Sequence, residues 1–203
     1  MKLNLPNKLT VLRLLMVPVF VIVMMASNAL WADIVGLVLF AAASLTDMLD
    51  GKIARKYNLI TDFGKFLDPL ADKFMVIGAM LVILYKSMTR AEPNKLFCIL
   101  FFWGVLIVIF RELAVTSMRL VVSGSSGIVI AANMLGKIKT CTQIACVILC
   151  IAEPILYYNI DALNFLADYL PLSLLSTVAM AFFTLWSGIN YIKGGWKFIA
   201  TDW

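Results

Sequence analysis

The sequence predicts an all-α, polytopic membrane protein with six transmembrane helices and an amino-terminal interfacial helix. Of the 203 residues, 63% are hydrophobic and only 14% are charged, and the mean hydropathy is +0.96. Soluble domains are about half apolar and about a quarter charged, so lipid is the expected solvent. The apolar residues are gathered in runs of the length that a membrane-spanning helix needs, about 20 residues.

Six such runs follow one another along the chain, and each predicts one transmembrane helix. No internal repeat or separable segment divides them, so residues 1–203 are expected to form a single membrane domain. The runs cover residues 9–27, 32–50, 67–85, 96–118, 138–158 and 172–192.

The distribution of lysine and arginine predicts the orientation of these helices. Fourteen of the 17 basic residues fall with the two termini and the even-numbered connections, and three, Lys86, Arg90 and Lys95, fall on the opposite side. Cytoplasmic segments carry the excess of positive charge, so both termini are expected in the cytoplasm. The net charge of +5 suits anionic lipid headgroups, and without a soluble basic domain no nucleic-acid partner is expected.

Two segments are expected to lie along the membrane surface. Residues 1–13 mix leucines with polar residues and lysines, which is typical of a short interfacial helix. Basic residues continue into the first apolar run as Arg13, so a cleavable signal peptide is not expected. Residues 123–135 are rich in glycine and serine and then apolar, and they are too short to span. They are expected at the cytoplasmic interface between the fourth and fifth helices.

Cysteine and histidine usage limits the chemistry. The four cysteines lie in apolar runs without C-x-x-C spacing, which favours buried thiols over disulfides or zinc sites. Histidine is absent, so carboxylates or lysines must serve as general bases. The cysteines are Cys98, Cys141, Cys146 and Cys150.

Four aspartates stand where the second and third helices meet the cytoplasm. Asp47 and Asp50 are three residues apart, and Asp68 and Asp72 are four apart, so each pair shares one face of its helix. Because the intervening turn folds back, two neighbouring helices can direct four carboxylates at one volume. A single aspartate at mid-bilayer costs about 2.5 to 3.5 kcal/mol, and an all-oxygen donor set suits Mg²⁺ or Mn²⁺. The spacing therefore indicates a divalent-metal site.

The alternative is that neighbouring basic residues neutralise these acids as interfacial ion pairs. Gly51 and Gly64, beside the acids, and the small Ala54 favour the metal site, because glycine is costly in a helix unless something must approach the backbone. The spacing alone leaves both interpretations open. The candidate basic partners are Lys52, Arg55, Lys56, Lys65 and Lys73.

The same stretch resembles the signature of a known enzyme family, the CDP-alcohol phosphatidyltransferases. Every fixed position of that signature is matched by Asp47-x-x-Asp50-Gly51-x-x-Ala54-Arg55, eight residues, and then Gly64-x-x-x-Asp68-x-x-x-Asp72. The resemblance implies six spans with cytoplasmic ends, a homodimer, and a reaction in which an alcohol displaces CMP from a CDP-linked lipid, here CDP-diacylglycerol.

The resemblance also implies roles for individual residues. Asp72 would both bind metal and accept the proton of the attacking hydroxyl. Arg55 would pair with the diphosphate or with a neighbouring acid. The ligands of one or two Mg²⁺ ions, with Mn²⁺ as an alternative, would be Asp47, Asp50, Asp68 and Asp72. The contacts of the CDP-lipid would be Gly51, Ala54, Arg55 and Gly64.

A third charged cluster bears on the acceptor alcohol. Four cations of the fourth and fifth helices accompany one acid, Glu112. Intramembrane charges usually face a polar cavity or one another, so one interpretation is a positive pocket for an acceptor that carries phosphate. The other is headgroup anchoring by snorkelling side chains. The four cations are Arg111, Arg119, Lys137 and Lys139.

Three stretches resemble the branch of the family that uses sn-glycerol 3-phosphate as acceptor and forms phosphatidylglycerophosphate. They are R-E-L-A-V-T-S-M-R, V-I-A-A-N-M-L-G-K-I-K-T and the opening N-L-P-N-K-L-T-V-L-R-L-L-M-V-P. The resemblance implies the four cations as phosphate contacts and a bacterial plasma membrane as the location. It assigns no role to Asn7, Thr10 and Arg13 of the opening stretch.

Three other functions are alternatives. A member of the same family could use inositol phosphate, serine or another alcohol. A divalent-cation transporter would place acids at mid-span on several helices, whereas here they cluster at one boundary and Glu153 is the only acid of the last two spans. A prenyltransferase with two Asp-rich motifs usually needs more helices and a different spacing of aspartates.

Overall fold

The computed structural model describes residues 4–56, 61–90, 93–126 and 134–199, and within these ranges it describes the side chains except at 5–6, 48–56, 62, 65, 123–126, 161 and 195–199. The described backbone is almost entirely helical and contains no strand, which confirms the all-α prediction. The elements are α1 Leu5–Ala26, α2 Leu30–Lys56, α3 Asp62–Thr89, α4 Lys95–Ser126, α5 Met134–Asn159, a 3-10 helix Asp161–Leu166 and α6 Pro171–Ile199.

Five of these helices contain stretches that are long and apolar enough to cross a membrane, so the chain is a multi-pass membrane protein. α3 has 28 residues but is not one of the five, and its first half carries Asp68, Asp72 and Lys73. The count of six spans therefore stays a prediction. The five stretches are Asn7–Ala26, Leu30–Asp47, Lys95–Val122, Met134–Asn159 and Pro171–Gly194.

The helices pack as two groups. α1 packs against α2 and α3, and α6 packs against α4 and α5. Contacts of α5 with α2 and α3, and of α4 with α3, join the groups. Phe101 and Met180 are fully buried in the core, while Ile22 and Leu120 are 66% and 71% exposed. Large apolar side chains on the outside are expected where the solvent is lipid.

The start of α6 is held by an acid of α5. Leu170 has a φ of 46°, and Pro171 then opens the helix, a position where the missing N–H of proline costs nothing. The backbone N–H groups of Leu172 and Ser173 donate to the two carboxylate oxygens of Glu153 at 2.8 and 2.6 Å. The buried Glu153 thus satisfies donors that have no partner within the helix.

The predicted amino-terminal interfacial helix is not a separate element of the described chain. α1 runs without interruption from Leu5 to Ala26, and Asn7, Thr10 and Arg13 are buried. The polar residues that indicated a surface location instead face other helices. Residues 127–133 of the second predicted interfacial stretch lie outside the described residues, and the backbone of 123–126 continues α4.

The four cysteines are free thiols. Cys146 and Cys150 are buried between α5 and α6, as predicted, with their sulfur atoms 3.9 Å apart. Cys98 is partly exposed and Cys141 is exposed. The prediction of burial was wrong for Cys141, because this part of α5 lines a cavity.

Candidate active site

A cavity of about 980 Å³ lies between the two helix groups. Its lining combines Asp47, Asp72 and Lys73 of α2 and α3 with Glu112 and the basic residues of α4 and α5. The structure thus brings the predicted acids and the predicted acceptor cations to one space. The charged residues among its lining are Asp47, Asp72, Lys73, Arg111, Glu112, Arg119, Lys137 and Lys139.

Asp47 and Asp72 meet through a buried arginine. Nη1 of Arg13 lies 2.8 Å from Oδ1 of Asp47 and 2.9 Å from Oδ1 of Asp72. Both oxygens are therefore within hydrogen-bond distance of one nitrogen and close to each other. The side chain of Arg13 is fully buried, whereas Asp47 and Asp72 are 35% and 47% exposed. The acids of two helices converge, and they do so at the cavity.

Asp68 is held by a second residue of α1. The hydroxyl of Thr10 donates to Oδ1 of Asp68 at 2.6 Å, and Thr10 itself is buried. Charge-assisted hydrogen bonds of this length are stronger than neutral ones. The three described aspartates of the signature thus all contact α1.

Asn7, a third residue of α1, contacts the start of α3. Its amide exchanges two hydrogen bonds with the hydroxyl of Thr61, at 2.9 and 3.0 Å, and Thr61 caps α3 by accepting the N–H of Gly64. A Cβ atom at Gly64 would stand 2.8 Å from Oδ1 of Asn7. The close approach at this glycine is therefore made by Asn7, a reason for glycine that the sequence did not reveal.

The donor set suits a hard divalent cation. α2 and α3 contribute carboxylate oxygens, the donors that Mg²⁺ and Mn²⁺ prefer. Among the residues with described side chains, no group of three or more Asp, Glu, Cys or His is close enough to hold a metal ion. Asp50, Gly51, Ala54 and Arg55 lie in α2, but their side chains are outside the described set.

Two of the acids do form ion pairs, but their partner is not one of the basic residues that the sequence suggested. Asp47 and Asp72 pair with Arg13, whereas Lys73, which was a candidate partner, donates to the hydroxyl of Thr116 at 2.5 Å. Sequence reasoning missed Arg13 as a site residue. The available signal was the spacing of Asn7, Thr10 and Arg13, three residues apart on a helix whose only other polar residue is Lys8.

Glu112 organises two of the predicted acceptor cations. Its Oε1 lies 2.5 Å from Nζ of Lys139 and 2.9 Å from Nη1 of Arg111. Arg111 also donates to the hydroxyl of Ser187 at 2.8 Å. A Cβ atom at Gly188 would stand 3.0 Å from Cγ of Arg111, so the glycine leaves room for this arginine. These contacts fix both cations at the cavity wall.

Arg119 and Lys137 complete the cationic side. Arg119 donates to the hydroxyl of Tyr191, and its guanidinium carbon lies 5.0 Å from the centre of that ring. Arg111 lies over the same ring at 5.8 Å. Lys137 is exposed at the cavity. With one acid among four cations, this wall carries net positive charge and can hold an anion.

Chemically, the cavity offers carboxylates of α2 and α3 and cations of α4 and α5 in one space. The carboxylates suit a cation that binds a diphosphate, and the cations suit a phosphate monoester. Apolar side chains such as Leu45, Val115, Ile144 and Ile148 line the same space. The arrangement therefore fits a substrate that is part lipid and part charged headgroup.

Comparisons with known proteins agree with this geometry. Residues 3–189 match the family model described as CDP-alcohol phosphatidyltransferase. The CDP-diacylglycerol--glycerol-3-phosphate 3-phosphatidyltransferase of Bacillus subtilis is 40% identical over 98% of both chains. Proteins of the same name from Rickettsia felis and Yersinia enterocolitica are 37% identical over 69% of this chain and 70% of theirs, and 31% identical over 97% of each. A match that reaches from α1 into α6 and includes every acid of the signature makes this chain a member of the CDP-alcohol phosphatidyltransferase family.

Proposed function

We propose that this protein transfers the phosphatidyl group of CDP-diacylglycerol to sn-glycerol 3-phosphate, forming phosphatidylglycerophosphate and CMP in phospholipid biosynthesis. The observation that carries the proposal is one cavity that is lined both by carboxylates of α2 and α3 and by cations of α4 and α5. The relatives described above are named for this reaction, and the similarity covers most of their length.

The aspartates form the reacting end of the site. We assign Asp47, Asp50, Asp68 and Asp72 as ligands of one or two Mg²⁺ ions, which Mn²⁺ can replace. When bound, such ions neutralise the charge of the diphosphate. The half-exposed position of Asp72 at the cavity supports its second role, which is to accept the proton of the attacking hydroxyl.

The bond changes balance within this site. The hydroxyl oxygen of glycerol 3-phosphate forms a bond to the lipid-side phosphorus and loses its proton to Asp72. The bond from that phosphorus to the CMP oxygen breaks, and CMP leaves with the electron pair. Arg55, Gly51, Ala54 and Gly64 are proposed to contact the CDP-lipid, as the family signature implies.

The acceptor phosphate is proposed to bind the cations of α4 and α5. Arg111 and Lys139 are already oriented by Glu112, and Nε of Arg111 is buried without a partner among the described residues. Such a donor gains most from an anionic ligand. The proposed phosphate contacts are Arg111, Arg119, Lys137 and Lys139.

The acyl chains are proposed to leave the cavity along its apolar lining. Leu45 is 56% exposed and shares the cavity with Ile144 and Ile148. Burial of chain methylenes against such residues is favourable by about 0.8 kcal/mol for each CH₂ group. A headgroup at the charged walls can then remain connected to tails in the bilayer.

Sidedness and assembly belong to the same proposal. The excess of lysine and arginine supports termini and an active site on the cytoplasmic face of a bacterial plasma membrane. A homodimer is proposed from the family alone.

The test is an assay of CMP release by the purified protein with CDP-diacylglycerol and Mg²⁺. We expect CMP with glycerol 3-phosphate, little with inositol phosphate or serine, and none after chelation of divalent ions until Mg²⁺ or Mn²⁺ is restored. CMP release with inositol phosphate but not with glycerol 3-phosphate would remove the acceptor assignment. Undiminished turnover in the presence of a chelator would remove the metal assignment.

A further inference from the structure

Three polar residues form a row along one face of α1. Asn7, Thr10 and Arg13 are three residues apart and have exposed fractions of 6%, 2% and 0%. Apart from Lys8, the rest of the helix is apolar, and all three residues lie within its candidate membrane span, Asn7–Ala26. Burying a hydroxyl, an amide and a guanidinium is costly unless each finds a partner, so the partners reveal what the row is for.

Each residue of the row meets α3 further along that helix than the residue before it. Asn7 pairs with Thr61 at the helix start, Thr10 donates to Asp68, and Arg13 donates to Asp72. Thr61 and Asp68 are seven residues apart and Asp68 and Asp72 are four apart, so the three contacts lie about two turns and then about one turn apart along α3. The row therefore fixes both the rotation of α3 and its position along α1.

Arg13 extends the row to α2. The same Nη1 atom that contacts Asp72 also contacts Asp47. Two carboxylates at this separation repel each other in a medium of low dielectric constant, and a positive charge between them offsets that repulsion. Arg13 thus fixes the position of α2 relative to α3 at the level of the site.

The contacts to Thr10 and Arg13 given above are made by Oδ1 of each carboxylate. Thr10 binds Oδ1 of Asp68, and Arg13 binds Oδ1 of Asp47 and of Asp72. A carboxylate bound in this way has a restricted orientation, and outer partners of this kind orient the groups that bind a metal. Arg13 is fully buried and therefore acts through the acids rather than on substrate.

We propose that Thr10 and Arg13 are positioning residues that orient the acids of α2 and α3 for cation binding, with Asn7 setting the register of the row. This inference rests on the proposed function. It goes beyond a role in holding helices together, because buried ion pairs are a poor source of stability and apolar contacts would join α1 to α3 at lower cost. Instead of apolar contacts, Thr10 and Arg13 make polar contacts to acids of the signature.

The first test compares two buried threonines that lose the same hydroxyl. Thr10→Val removes the bond to Asp68, whereas Thr177→Val removes a bond to the backbone oxygen of Ser173 in α6, far from the acids in the chain. Loss of a group that orients a metal ligand weakens metal binding about 10-fold to 100-fold. We expect a shift of at least about 10-fold for Thr10→Val in two quantities: the Mn²⁺ affinity of the substrate-free protein, measured by electron paramagnetic resonance of free Mn²⁺, and the Mg²⁺ concentration for half-maximal turnover. Thr177→Val should shift neither, and KM for glycerol 3-phosphate should be unchanged in both.

The second test compares two buried cations. Arg13→Gln removes the charge between Asp47 and Asp72, and Lys86→Gln removes a cation that lies 2.5 Å from Asp33 in the other half of α3. Both variants leave an acid without its partner, so both are expected to lower the thermal unfolding temperature. Only Arg13→Gln should weaken Mn²⁺ binding, and Arg13→Lys should restore part of it, because a single ammonium nitrogen can occupy the position of Nη1.

Two outcomes would overturn the inference. In the first, the Thr10→Val and Arg13→Gln proteins lose as much stability as their controls but bind Mn²⁺ with the affinity of the wild type. In the second, the wild-type protein itself binds no Mn²⁺. If instead the wild type binds Mn²⁺ but releases no CMP with glycerol 3-phosphate, the proposed function fails. The Mn²⁺ measurement on substrate-free protein still decides the role of the row.

Discussion

Lys139 and Glu112 form a buried ion pair between α5 and α4, with Nζ of the lysine 2.5 Å from Oε1 of the glutamate. The same glutamate oxygen accepts a hydrogen bond from Arg111 at 2.9 Å. One carboxylate therefore holds two cations that face the cavity. Without it, two positive charges would be buried together with no compensating acid.

This relationship predicts the effect of Glu112→Gln. Breaking a buried pair on one side leaves an uncompensated charge and costs about 3 to 5 kcal/mol. We expect a large fall in the thermal unfolding temperature of the purified protein in detergent. Asp168→Asn, at an exposed acid without a described ion pair, is the control and should leave that temperature unchanged. A Glu112→Gln protein as stable as the wild type would show that Arg111 and Lys139 do not depend on this acid.

A second prediction concerns Arg119, which lies over Tyr191 at the cavity. Arg119→Ala removes one charge-assisted contact to the acceptor phosphate, worth about 1.5 to 3 kcal/mol. We expect KM for glycerol 3-phosphate to rise by at least about 10-fold, with a smaller change in kcat. The measurement is CMP release over a range of acceptor concentrations.

Arg90→Ala is the matched control for that experiment. Arg90 also lies over a tyrosine ring, that of Tyr158 at 5.5 Å, but it lines a separate cavity. Its loss should leave KM for the acceptor unchanged. Equal effects of the two substitutions would count against an acceptor site at Arg119.

The role of Asp72 as base predicts the outcome of Asp72→Asn. The two side chains have nearly the same shape, so the fold should persist, while the proton acceptor is lost. Positioned general bases contribute about 10² to 10⁴ in rate, and we expect a loss of turnover of at least this size because Asp72 is also a proposed metal ligand. Turnover is measured as CMP release in a single-turnover experiment. The thermal unfolding temperature shows whether the variant is folded. Turnover close to that of the wild type would refute the assignment.

Gly188 predicts a steric effect on the acceptor site. A Cβ atom there would stand 3.0 Å from Cγ of Arg111, so Gly188→Val should push this side chain away from Ser187. We expect a higher KM for glycerol 3-phosphate and unchanged affinity for Mn²⁺. Gly194→Val is the control on the same helix, because a Cβ atom at Gly194 meets nothing within 4 Å. A shift in KM for both variants would indicate a general effect on α6.

Much of the site could be predicted because it follows from spacing along a single helix. The period of the α-helix places residues three or four apart on one face, which was sufficient to pair Asp68 with Asp72. The turn between the two aspartate pairs then predicted that α2 and α3 would share a site, and Asp47 and Asp72 do converge. Arg111, Glu112 and Lys139 were recognised as charges that need a polar cavity, and they line one.

The role of α1 was not predicted. Composition indicated a surface helix for its opening residues, whereas Asn7, Thr10 and Arg13 face inward. Arg13 and Asp72 are separated by 59 positions in the chain, and no local rule relates side chains at that distance. Cys141 was misplaced for a similar reason, because its exposure depends on a cavity formed by other helices.

By itself, the sequence determined the solvent, the helical class and the chemistry of the side chains, since these depend on composition and on the helical period. Tertiary structure alone decided which charges meet. Arg13 lies between Asp47 and Asp72, and Glu112 lies between Arg111 and Lys139. The spacing of polar residues along one helix indicates a shared face, but it does not show which residues of another helix that face will meet. Only the packing of the helices, together with the cost of burying a charge without a partner, selects those partners.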